Sequence, residues 1–124
     1  MKSSELSVEV IAGKLMYFQS QLHLIHWQTS SYAEHNATGS LYDFIHDFKD
    51  ELIEKLIGYT GHKPSVFKID NLVNTSSINV ITDLISFAKD LKKYGEANNF
   101  QDVCNLADSP SGESSKIKFL LTLS

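Results

Sequence analysis

The sequence predicts an all-α fold: a four-helix bundle with a short first connection, a long second connection and a kinked or broken fourth helix. Three observations carry this. Apolar residues recur every three or four positions in four segments of the 124-residue chain, the spacing that lines one face of an α-helix. The polar break between the first two segments covers only residues 30–36, and so short a link makes successive helices antiparallel neighbours. The break between the second and third covers residues 61–76. That is too long for a tight turn and long enough to cross a bundle from end to end.

The first helix is predicted over residues 5–30. Ser3 or Ser4 is its expected cap, with Glu5 favourable near the positive end of the dipole. Val8, Ile11, Leu15, Phe18, Leu22 and Ile25 form its core stripe, and His26 sits at the stripe's edge. Met16, Ser20, His23 and Trp27 share a second face. Chance surface exposure is the plain account of that face; a subunit contact is the sharper one. In the following link, Ser31 and Glu34 have capping-box spacing, and His35 falls within or just after the turn.

The second helix is predicted over residues 38–59. Leu41, Phe44, Ile45, Phe48, Leu52 and Leu56 make its core stripe. Asp43, Asp47, Asp50 and Glu54 fall on the opposite face, with His46 beside them. Gly58, Gly61 and Pro64 end the helix. In the long connection Val66, Phe67, Ile69, Leu72 and Val73 are expected to pin the chain down, with a short helix around Leu72. His62 reads as a surface residue. The third helix is predicted over residues 77–94, capped by Ser76 or Ser77 and stopped by Gly95. Its stripe is Ile78, Ile81, Leu84, Ile85, Ala88 and Leu91, and Asp83 and Asp90 read as surface charges.

The fourth segment shows two half-stripes. Phe100, Val103, Leu106 and Ala107 make one, and Ile117, Leu120, Leu121 and Leu123 the other. Between them lies DSPSGESS. A proline inside a helix costs about 3 kcal/mol and a glycine about 1. A break or kink is therefore expected near residues 109–112; Ser109 capping a new helix with Pro110 in its first turn is one solution.

Composition narrows the function classes. Hydrophobic residues make up 42% of the chain, which fits one folded domain and argues against disorder. No apolar run is long enough to span a bilayer. The opening MKSSELSVEVIAG lacks a signal-peptide core, so export is not expected. Cys104 is the only cysteine, which excludes a disulfide within the chain and fits a reducing cytoplasm. Net charge is −4 and the eleven basic residues are thinly spread. Contact with a nucleic-acid backbone needs clustered Lys and Arg, so direct DNA binding is not expected.

Chemistry concentrates between His23 and Glu54. This stretch holds four of the five histidines and the only tryptophan. Asp50 and Glu54 lie four apart and stack on one helix face. With His26 and His35 they make a donor set suited to iron, zinc or manganese. The acids point away from the core stripe, so a site inside one bundle is disfavoured and a site between subunits is favoured. The plain alternative is a solvated acidic face, with His26 a hydrogen-bonded residue at the core's edge and His35 orienting the loop.

The order His26–Trp27, His35, Asp50, Glu54, Lys55 and the Gly58/Gly61 pair resembles the signature of Dps-type mini-ferritins. The His35-to-Glu54 interval matches that family without a gap. The core H-W…S-Y-A-E-H also resembles small ferritin-like proteins of tailed phages. The resemblance covers residues 15–64 well and the remainder as a helical pattern only. It implies a ferritin-like bundle and a homo-oligomer, at least a dimer. It also implies a ferroxidase-type oxidoreductase acting on iron(II) between subunits. His26 and His35 would come from one chain, Asp50 and Glu54 from its two-fold partner, with Glu54 the bridging ligand and Trp27 nearby. This chain departs from the family in two places. Lys55 stands where arginine is usual, and the His26–His35 interval is shorter; if that shifts His26 by about one turn, His23 is its substitute. The competing expectation is a non-catalytic structural or interaction protein, phage-derived, that keeps the bundle.

Overall fold

Residues 6–123 are described by a computed structural model of the chain. Four helices follow in order: α1 (Val8–Gln28), α2 (Tyr32–Thr60), α3 (Ser77–Ala97) and α4 (Gln101–Leu121). No strand occurs among the described residues. Most of the predicted stripe residues fill the centre: Ile11, Leu15 and Leu22 of α1, Leu41, Ile45, Leu52 and Leu56 of α2, Ile81, Leu84 and Leu91 of α3, and Ile117 of α4 are all fully buried, whereas Ile78 and Leu123 are exposed. Burying side chains of this size stabilises by roughly 1.5–3 kcal/mol each. The helices therefore exist because four apolar faces share one core.

Hydrogen bonds at the two ends fix the directions. Ser77, at the start of α3, donates its hydroxyl to Glu34 in the first turn of α2. Those two helices therefore begin at the same end. At the far end Tyr59 of α2 stacks on Phe100, ring centroids 4.5 Å apart, and its hydroxyl accepts from the Asp102 N–H at 3.3 Å. So α4 begins where α2 ends. The connection over residues 61–76 runs the length of the molecule. The main packing is α1 on α2 and α3 on α4, completed by α2 on α4 and α1 on α3.

Several boundaries move. The first helix starts at Val8, and Ser7 caps it by accepting from the Val10 N–H at 3.2 Å. Ser3, Ser4 and Glu5 lie outside the described residues. The first link is only residues 29–31, and α2 begins at Tyr32. Ser31 caps it as its spacing implied, accepting from the Glu34 N–H at 3.2 Å. His35 is thus in a helix's first turn and not in a loop. Gly61, not Gly58, ends α2, in the left-handed conformation (φ 68°) that glycine tolerates. The third helix passes through Gly95, where a Cβ would lie 2.9 Å from the Cys104 sulfur. That glycine lets α3 and α4 approach closely.

The expected break in α4 is absent. The helix runs from Gln101 to Leu121 with Pro110 inside it. The reason is packing: Val103, Ala107, Pro110, Ser114 and Ile117 form one unbroken buried stripe. Burial along that stripe outweighs the lost Pro110 N–H and the Gly112 propensity cost.

The long connection also differs from expectation. It has no helix at Leu72, and Val66, Ile69, Leu72 and Val73 are exposed. Phe67 alone of the predicted group packs inward, over Gly13. The anchors are polar. Gln21 is fully buried; its amide donates to the Val73 carbonyl at 2.9 Å and accepts from the Val73 N–H at 3.0 Å. Glu9 accepts from the Ser65 N–H at 2.9 Å and pairs with His62 at 2.8 Å. The Ser65 N–H, and then His62, hold the Glu9 carboxyl below the ordinary value of 4.5. A depressed carboxyl stabilises the fold fully above its unfolded value, and this is lost as pH falls through the folded one. Hydrogen exchange should therefore show Ser65 losing protection on acidification below that range. In Glu9→Gln, Ser65 should be less protected and insensitive to pH across it.

Candidate functional site

His26, in the last turn of α1, meets His35, in the first turn of α2. Each ring nitrogen Nδ1 contacts the other residue's backbone carbonyl, with His35 Nδ1 at 2.9 Å from the His26 oxygen. A carbonyl can only accept, so both Nδ1 atoms carry the proton. In the neutral ring that fixes the tautomer, with the lone pair on Nε2. The rings stack with centroids 3.7 Å apart and 19° between planes. The His26 carbonyl belongs to the last turn of α1, where helix carbonyls lack helical partners. His35 supplies one. Gly39 makes room: a Cβ there would lie 2.9 Å from His26 Cε1.

A row of rings continues along the outer side of the α1–α2 pair. His23 lies 4.2 Å from Trp27 and 4.1 Å from Tyr42, centroid to centroid, and Tyr42 leads on to His46. The Gln19 side-chain amide donates to His46 Nδ1 at 3.1 Å, while its oxygen accepts from Lys49 Nζ at 2.8 Å. His46 therefore has the opposite tautomer from His26 and His35, with Nδ1 bare. Trp27 is 68% exposed, so this face of a single chain presents a large aromatic surface to solvent.

Asp50 and Glu54 are exposed on the outer side of α2, together with Asp43 and Asp47. No hydrogen bond or ion pair engages any of the four among the described residues. His35 and Asp50 are fifteen positions apart on the same helix, about 22 Å at 1.5 Å per residue. The structure thus joins the two histidines and stacks the two acids but keeps the pairs apart. Among the described residues no three His, Cys, Asp or Glu side chains are close enough to hold a metal ion. The described residues of a single chain therefore do not fit a metal with this donor set.

Sequence reasoning missed Gly39, Tyr42 and the Gln19–Lys49 pair. A glycine inside a helical stretch was the available signal for Gly39. A cavity of about 510 Å³ lies elsewhere, between α1, α3 and the long connection; Lys14, Tyr17, Phe87 and Asp90 help line it. Among the described residues no helix is long and apolar enough to cross a membrane.

The chain is 31% identical over 83 residues to an Enterobacteria phage T4 protein described as an uncharacterized 14.6 kDa protein in the mobD-ri intergenic region. The match covers 65% of this chain and 64% of that relative, so the chain spans less than two thirds of the relative's length. No solved structure matches it. Residues 26–121, beginning at His26 and reaching the end of α4, match one family model, and the chain belongs to that family, DUF5856, a family of unknown function.

Proposed function

We propose that the chain is a Dps-like iron-binding protein with a ferritin-like bundle, working as a homodimer or as an assembly of such dimers. Iron(II) is the substrate, held between subunits by His26 and His35 of one chain and by the partner's Asp50 and Glu54. Zinc or manganese suits the same donors. By the family resemblance the bound iron would be oxidised, each ion giving one electron to a peroxide oxidant.

The exposed acids of α2 and the paired histidines at its start support this, because one register would bring them together. Two α2 helices packed antiparallel about a two-fold axis between Tyr42 and Asp43 would set His35 opposite the partner's Asp50. The same axis sets Ser31 opposite the partner's Glu54, and Gly39, the seat of His26, opposite the partner's His46. The exposed Trp27 ring, with the half-buried His23 and Tyr42 rings beside it, then lies at the centre, where a buried aromatic cluster does most to hold an interface. Carboxylates left in water by one chain would face the bare Nε2 atoms of the other.

Anaerobic Fe(II) titration with sedimentation velocity tests the reading. The expected result is saturable binding by a dimer or larger species. A monomer at high concentration without saturable binding rejects it. The stacked, backbone-bonded histidines support a second reading, a non-catalytic assembly protein in which the pair only locks the turn. Elemental analysis of protein purified without a metal-affinity tag separates the two: bound transition metal supports the first, metal-free dimers the second.

A further inference from the structure

We propose that the cavity between α1, α3 and the long connection binds a linear aliphatic diammonium chain, a polyamine, with one end at Asp83 and the other at Asp90. The cavity holds about 510 Å³, within the roughly 300–1,000 Å³ typical of small-molecule sites. Its floor is aromatic. Phe18 of α1 and Phe87 of α3 are buried with ring centroids 5.8 Å apart, and Tyr17 meets Phe18 edge-on at 5.8 Å. Asp83, Phe87 and Asp90 fall on one face of α3 by helical spacing, so a carboxylate stands at each end of that floor. Asp70 of the connection adds a third carboxylate, and Lys14 of α1 is the one cation lining the cavity among the described residues. None of the three aspartates makes a hydrogen bond or ion pair among the described residues, although Asp90 is half-buried.

The arrangement selects the ligand. Three carboxylates and one ammonium leave two negative charges, which a dication neutralises. Asp83 and Asp90 are seven positions apart, about 10 Å along the helix axis. Carboxylates so far apart cannot close on one metal ion, whose oxygen ligands lie at about 2.0–2.6 Å. A single ammonium leaves one of them bare. With about 2.8 Å for each ammonium–carboxylate bond, the two nitrogens stand roughly 5–10 Å apart, a gap that roughly four to seven methylenes span. Those methylenes lie on the rings, whose negative faces also attract the ammonium ends. The way in is the connection itself. No hydrogen bond holds residues 66–72 among the described residues; the ties are at Ser65 and at Val73. This stretch can lift and close, bringing Asp70 onto the bound chain. The site shares no residue with the proposed metal site.

Calorimetric titration of the full chain with a series of α,ω-diaminoalkanes tests this, with 1-aminopentane as the single-charge control. Affinity should peak at roughly four to seven carbons. 1-Aminopentane should bind about tenfold or more weakly than 1,5-diaminopentane, the loss expected for one charged hydrogen bond. Asp83→Asn and Asp90→Asn, each shown to be folded by circular dichroism, should each weaken 1,5-diaminopentane binding by about the same factor. The double change Asp43→Asn and Asp47→Asn, on the outer face of α2, should leave that binding unchanged. Equal affinity for 1-aminopentane and the diamines overturns the two-ended site. Binding that survives in both α3 variants but falls in the α2 variant marks diffuse attraction to an acidic surface and overturns it as well. Absence of diamine binding overturns the proposal outright.

Discussion

Replacing Asp50 and Glu54 together by alanine should abolish saturable Fe(II) binding while the fold survives. Both side chains are exposed and make no hydrogen bond or ion pair among the described residues. Surface changes of this kind alter stability by about 0.5 kcal/mol or less, and alanine is the better helix former. Their proposed role, by contrast, is to supply the anionic half of the donor set. Loss of groups that merely orient metal ligands weakens binding by about 10–100-fold, so loss of two ligands should exceed about 100-fold. Calorimetric titration beside a circular-dichroism melt reads both quantities. Unchanged binding in the folded variant would place the site on other residues.

The second large effect should come from Trp27. Trp27→Glu is expected to turn the proposed dimer into monomers at micromolar concentration. In a lone chain the ring is 68% exposed and rests on His23, so the substitution removes little from the bundle's core. In the proposed dimer it removes an aromatic anchor and places a charge among rings. Anchors of this type contribute about 2–4 kcal/mol, which is roughly 30- to 1000-fold in dissociation constant. Sedimentation velocity over a concentration series checks it. A variant that remains fully dimeric would mean that a different face pairs the subunits.

The four helices and their connections were legible because apolar spacing is a direct imprint of a shared core. Leu41, Ile45, Leu52 and Leu56 could be placed inside from position alone, and the outward direction of Asp50 and Glu54 followed from the same periodicity. The fourth helix was misread at Pro110 and Ser114. Both occupy core positions in an unbroken stripe from Val103 to Ile117, but neither looks like a core residue, so local propensity argued for a break that packing overrides. The polar anchors of the long connection were invisible for another reason. Gln21 and Glu9 lie more than fifty positions from the backbone groups they bind, and nothing local distinguishes them from surface residues. For the site, the sequence places His26 and His35 on either side of a short connection, and the folded turn brings them into contact. Which ring nitrogen bears the proton depends on backbone carbonyls that only the folded turn brings together.

Complementation measures directly whether the proposed metal site is divided between two chains. One variant carries His26→Ala and His35→Ala with its acids intact. The other carries Asp50→Ala and Glu54→Ala with its histidines intact. Each alone should bind no Fe(II) saturably. Unfolded together, mixed in equal amounts and refolded, they should form mixed dimers in about half of all pairings, each holding one complete site. Binding capacity should then return to about one quarter of the wild-type value, with wild-type affinity. A refolded mixture that contains mixed dimers yet recovers no binding would contradict a site shared across the two-fold axis.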